Sequence, residues 1–132
     1  MKTDSLRLLV VVPTDPATLW AAWLDGARHA AMTGAPATAE PRVGARFTAW
    51  EGYIEGETLE LDPPRRIVQS WRTSEFPEGA PSSRLELELT EVAGGTQLTL
   101  VHTRIPSGQG ERYEAGWEEY YFAPMRAWFA PR

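Results

Sequence analysis

The chain has 132 residues, 42% hydrophobic and 23% charged, which is the make-up of one globular domain that buries about two-thirds of its unfolded surface. A net charge of −5 argues against a nucleic-acid or anionic-membrane partner, since both demand basic patches. Zero cysteines excludes disulfides, thiol nucleophiles and thiolate metal sites, and no apolar run reaches the roughly 18 residues of a membrane span.

Residues 6–12 (LRLLVVV) form a β-rich run that stops at Pro13. The opening MKTDSLRLLVVVPTD has a short apolar core and no small-residue cleavage pattern, so it reads as a first strand and not a signal peptide. Thr14 or Asp15 is placed to cap a helix whose first position is Pro16. That helix turns Leu19, Trp20, Trp23 and Leu24 inward and ends at Gly26, and a second short helix, ARHAAM, closes at Thr33-Gly34. Residues 35–45 hold two prolines and read as a loop with a short strand.

The periodicity then becomes β. Phe47–Trp50 is expected to pair across Glu51-Gly52 with Tyr53–Leu61, which turns through Asp62-Pro63-Pro64 into Arg66–Thr73. A loop, SEFPEGAPSS, precedes Leu85–Val92, where Leu85, Leu87 and Leu89 alternate with Glu86 and Glu88. Gly94-Gly95 makes a hairpin turn into Thr96–Arg104.

The connector IPSGQG reaches a long amphipathic helix. At 100° per residue, Tyr113, Trp117, Tyr120, Tyr121 and Trp128 share an inward seam, while Phe122 and Phe129 fall on the opposite side. Pro124 lies mid-helix and predicts a kink that frees the Tyr120 carbonyl. Strand, two short helices, antiparallel strands, then one long helix is the order of an α+β helix-grip fold, with a curved sheet wrapped round the last helix.

Several segments resemble a known family. GYIEGETLELDPPRRIVQSWR is similar to the central hairpin of the bacterial proteins related to the C-terminal domain of the heat-shock-protein-90 ATPase activator, in the START-like (SRPBCC) superfamily. HAAMTGAPA, GGTQLTLVHTRIP and GWEEYYFAPMRAWF extend the match over most of residues 6–130. The resemblance implies a single START-like domain over residues 1–132 whose seven-stranded antiparallel sheet grips the C-terminal helix. It says little about activity, because the superfamily includes lipid carriers, cyclases and hormone receptors. The eukaryotic activator also has a separate N-terminal domain that helps it engage the chaperone, and this sequence is expected to lack one.

Candidate chemistry is sparse. His102 follows Leu98 and Leu100 at period two and so faces the concave side, where a histidine can contact a ligand or carry a proton. The commoner outcome there is a buried, hydrogen-bonded histidine. His29 is expected at the surface or at a cap, and the two histidines give no metal signature. Glu55 and Glu57 alternate along a strand and are read as lining a solvated face, and Arg72 and Arg104 as exposed strand-end residues.

The better lead is six tryptophans. Trp50, Trp71, His102, Trp117, Tyr120 and Tyr121 are the expected lining of a cavity for an apolar or aromatic small molecule, without a cofactor. A plain packed core is the competing reading. An enzyme of the cyclase, dehydratase or hydrolase type using His102 is the alternative, and a protein-interaction module is the third. Exposed Phe122 and Phe129 predict a homodimer, and a cytoplasmic location is expected.

Overall fold

The computed structural model describes residues 2–131. Six strands form one antiparallel sheet: β1 (Thr3–Val12), β2 (Arg46–Ala49), β3 (Ile54–Asp62), β4 (Arg66–Thr73), β5 (Ser83–Val92) and β6 (Gly95–Pro106), in the spatial order β1-β6-β5-β4-β3-β2. Two helices, α1 (Pro16–Leu24) and α2 (Gly26–Thr33), follow β1. Local chemistry explains both. Asp15 accepts the Thr18 N–H at 3.2 Å and the Thr18 hydroxyl at 2.6 Å, with Pro16 in the first turn. Asp25 caps α2 through the Arg28 N–H at 2.9 Å, and Gly34 ends it with φ 86°, a conformation that costs glycine nothing.

The seventh strand is not formed among the described residues. The segment expected to supply it, 35–45, contributes a single bridge in which Thr38 and Thr48 exchange backbone bonds of 2.9 Å. Pro36 and Pro41 flank that bridge and donate no N–H, so the ladder cannot extend.

Gly56 of β3 passes close against β4. Glu57 N–H donates to the Ser70 hydroxyl at 2.9 Å instead of to a ladder carbonyl. A Cβ on Gly56 would overlap the Ser70 carbonyl oxygen and sit 2.7 Å from the Phe47 ring, which covers the glycine from β2. A second irregularity follows between Thr58 and Glu60. On the curled sheet the inward residues Ile54, Ile67, Trp71, Leu85, Leu87, Leu89, Leu98 and Leu100 share one core with α1 and the last helix.

That helix runs from Gly110 to Trp128, but in three parts: α3 (Gly110–Gly116), a π-helical turn (Trp117–Phe122) and α4 (Ala123–Trp128). Asp4 of β1 anchors its start by accepting the Gly108 and Gly110 N–H groups at 3.0 and 2.8 Å. In the π turn Ala123 N–H reaches back five residues to the Glu118 carbonyl. The wider turn relieves the clash that the Pro124 ring would make with the carbonyl four residues earlier, so the π turn takes up the strain expected as a kink.

One π turn inserts about one extra residue and rotates everything after it by roughly 100°. The seam is therefore not the one that regular helical spacing predicts. It is Tyr113, Trp117, Tyr121, Phe122 and Met125, all buried, with Phe129 packed against the core. Phe122 is only 4% exposed, whereas Tyr120 and Trp128 are 48% and 45% exposed. The exposed phenylalanine pair expected to make a homodimer patch does not exist, because the phase shift turns Phe122 inward. Among the described residues, no helix is long and apolar enough to cross a membrane.

Candidate ligand-binding site

An open cleft of about 610 Å³ lies between the curved sheet and the C-terminal helix, within the range of roughly 300–1,000 Å³ usual for small-molecule sites. Its floor and walls are aromatic. Trp71 from β4 and Trp117 from the π turn stand with ring centroids 5.6 Å apart, and Tyr113 meets the Trp71 edge at 5.0 Å. Tyr121 packs on Trp117 at 4.9 Å, and Trp23 of α1 backs the pair, 6.3 Å from Trp117 and 5.2 Å from Tyr121. Ile54, Gly116, Trp50 and Tyr120 complete the apolar surface.

Of the six residues expected to line a cavity, Trp50, Trp71, Trp117, Tyr120 and Tyr121 border the cleft, and His102 does not. His102 points inward, as the alternation of β6 predicts, but lies fully buried behind Trp71 and Trp117. Both of its ring nitrogens are committed. Trp117 Nε1–H donates to Nδ1 at 3.2 Å, so the proton of the neutral ring is on Nε2, which donates to Ser83 Oγ at 2.8 Å. The Ser83 hydroxyl passes the chain on to the Trp71 carbonyl at 2.6 Å. Burial pulls the His102 pKa down from 6.5 to about 3. In this placement the ring supports two tryptophans: one nitrogen takes the Trp117 indole N–H, and the other is linked to the Trp71 carbonyl through Ser83.

His29 is a second correction. It is buried, not on the surface: Nδ1–H donates to the Trp23 carbonyl and Nε2 accepts the Tyr121 hydroxyl, each at 2.9 Å. Burial lowers the His29 pKa, against a smaller opposing effect of the Trp23 carbonyl. Burial likewise raises that of the Tyr121 phenol, so both groups stay neutral. The partner that buries His29 lies 92 residues away, and no local spacing announces it.

The polar groups of the cleft collect at its mouth. Tyr53 donates a hydrogen bond to Glu75, and Arg112 pairs with the same carboxylate at 3.1 Å. Burial first, then the bond to Glu75, pushes the Tyr53 pKa up to about 12. Below them Thr73 Oγ1 lies 2.7 Å from the Tyr113 hydroxyl, which donates to Gln109 Oε1 at 2.8 Å. Tyr53, Glu75 and Arg112 come from three separate segments and carry no mutual spacing, so nothing in the sequence marks them as a cluster. The strand-end arginines lie elsewhere: Arg72 holds the Ala80 carbonyl at 2.8 Å, and Arg104 sits exposed on a bulge with φ 60°. Glu55 is exposed and Glu57 half-buried, as expected of a solvated sheet face.

Trp50 stands out at the rim. The β2–β3 turn spans Trp50 to Tyr53, the expected Glu51-Gly52 turn widened by one residue on each side, and Trp50 and Glu51 both adopt left-handed backbone with φ 51° and 58°. Such a conformation costs a bulky residue about 1–2 kcal/mol. Its indole packs edge-on to Tyr120 at 5.1 Å, and its Nε1–H is buried without a protein acceptor. An unmet buried donor costs about 1–3 kcal/mol more. Strain and an unused donor therefore coincide on one cleft residue.

Residues 13–130 match the model of a family described as Activator of Hsp90 ATPase homolog 1-like protein. The chain belongs to this family. It is 33% identical over 127 residues to the human Activator of 90 kDa heat shock protein ATPase homolog 1, covering 96% of this chain and 37% of that protein. A Dictyostelium discoideum homolog of the same activator is 29% identical over 119 residues, covering 88% of this chain and 30% of its own. The chain thus spans about a third of the length of the curated relatives it matches. Among solved structures, an HSP90 activator from Plasmodium falciparum superposes with TM-score 0.84 at 26% identity, over 93% of this chain and 94% of that one. CalU16 from Micromonospora echinospora has TM-score 0.75 at 28% identity, over 97% and 76%. The α+β fold with a C-terminal helix over an antiparallel sheet is thus the fold of this Hsp90-activator-like family.

Proposed function

We propose that this member of the Hsp90-activator-like family binds an apolar, flat aromatic small molecule in the cleft between its sheet and C-terminal helix. The observation that carries this reading is the division of the cleft into an aromatic interior and a polar mouth. A ring system lies against Trp71, Trp117 and Tyr120, and an acceptor group on it meets donors at the rim.

Gly116 supplies the test. It lines the cleft in ordinary helical conformation, φ −64°, and a Cβ there meets only Tyr120 Cδ2, at 3.9 Å. Gly116→Ala should raise stability by about 0.5–1 kcal/mol, the usual gain of alanine over glycine inside a helix. Gly116→Leu should fill the cleft while leaving the fold intact. Calorimetric titration with a panel of aromatic acids, polyketides and fatty acids is expected to give saturable binding to the parent and none to Gly116→Leu. Failure of every class to bind the parent, or equal binding to Gly116→Leu, removes the proposal.

A second reading is engagement of an Hsp90-type ATPase, supported by the 33% identity to the human activator over 96% of the chain. Stimulation of Hsp90 ATP hydrolysis by this chain tests it. Equal stimulation by parent and Gly116→Leu would separate that role from the cleft.

A further inference from the structure

The two edges of the sheet are treated differently. At one edge β2 is four residues long, and its outer side is partly covered by the Thr38–Thr48 bridge. At the other, all the ladder pairs of β1 are made with β6, which leaves one main-chain side of a ten-residue strand unpaired. A long open edge is a template for another strand unless it is blunted.

A second groove, of about 580 Å³, follows that edge. It is lined by Leu8 and Leu9 on one side and by Glu111, Glu114, Ala115, Glu118 and Phe122 on the other. Adjacent strand residues point to opposite faces, so a groove that touches both Leu8 and Leu9 runs along the strand edge, not across one face. Leu9 and Val11 are 53% and 46% exposed. The wall opposite is acidic: Glu111, Glu114 and Glu118 fall three and four residues apart, one stripe of a helix. Arg126 pairs with Glu118 at 2.6 Å, and among the described residues Glu111 and Glu114 have no ion-pair partner. The strand's own cation, Arg7, shares the outer face with Leu9 by alternation. The groove shares no lining residue with the aromatic cleft.

We infer that β1 accepts an extended basic segment of a partner protein as an added antiparallel strand. Main-chain bonds to the open edge supply the attachment. Alternating apolar side chains rest on Leu9 and Val11, and lysines or arginines face Glu111 and Glu114. The carboxylate wall selects the sign of the partner's charge, and its contribution falls as salt rises.

The probe is a fluorescein-labelled nonapeptide of alternating lysine and valine, titrated with the full chain and read by anisotropy. Saturable binding is expected, weaker at high salt. The Glu111→Lys/Glu114→Lys double variant should weaken it by about tenfold or more. A peptide of equal charge with two central valines replaced by proline should not bind, because proline cannot donate to the edge. Amide exchange at residues 7–11 should slow on binding. Leu9→Lys, at an exposed position, leaves stability within about 0.5 kcal/mol and tests the edge without unfolding it. No saturable binding overturns the inference. So does a proline peptide that binds as well as its parent, since attraction would then be charge alone. Sedimentation that shows β1 pairing two copies of this chain, abolished by Leu9→Lys, also overturns it.

Discussion

Gly56→Ala is expected to lower the unfolding free energy by about 3 kcal/mol or more, a full overpacking penalty. One methyl group would have to enter the space held by the Ser70 carbonyl oxygen and the edge of the Phe47 ring. The ring can swing away, but the carbonyl belongs to β4, whose next residue is Trp71, so the strand cannot retreat without moving the cleft wall. Urea denaturation of the two proteins measures the loss, and a Tm lower by roughly 10 °C should accompany it. Gly116→Ala in the same measurement should move the other way. If Gly56→Ala proves neutral, β3 is not held in place by close approach of the two backbones.

Acid should destabilise this protein well above the pH at which carboxylates titrate. His102 has a folded pKa of about 3 against 6.5 when solvated, so below pH 6.5 the unfolded chain takes up a proton that the folded chain refuses. The stability it contributes is complete above pH 6.5 and is lost as pH falls toward 3. Between pH 7 and 5 the loss from His102 is about 2 kcal/mol. His29, also held low by burial, adds in the same direction. The geometry agrees with the sign. The acceptor nitrogen of His102 faces an indole N–H that can only donate, so an added proton would set two donors against each other. Urea unfolding at pH 7, 6 and 5 should show the decline, and His102→Gln should make it shallower, leaving the share of His29. A stability profile unchanged between pH 7 and 5 would show that these rings protonate in place.

What could be read from the residues is what local chemistry decides. Asp15, Pro16 and Gly34 mark helix ends because capping is settled within four residues. Leu85, Leu87 and Leu89 mark a half-buried strand because one face of β5 packs on the core. The extent of the final helix was legible too, but its phase was not. A π turn changes the angle per residue that every helical-face argument assumes, and so Phe122 and Tyr120 exchange places. Pro124 was the available signal, since its ring demands some departure from regular α-helix. The mouth of the cleft was invisible for another reason: Tyr53, Glu75 and Arg112 meet only after the sheet curls. His29 likewise acquires its meaning from Tyr121, at the far end of the chain.

The stack of Trp23, Trp117 and Trp71 has an optical consequence. Three indoles in a row, with neighbouring centroids 6.3 and 5.6 Å apart, are close enough for their electronic transitions to mix. The folded protein should therefore display a paired positive and negative band in the far-ultraviolet circular dichroism, where the strong indole transition lies, a signature that separated indoles lack. Because the three rings come from α1, the π turn and β4, the band requires the π turn to have closed on α1 or on β4. The chain carries its own spectroscopic gauge of whether the last helix has closed on the rest of the fold, without any label.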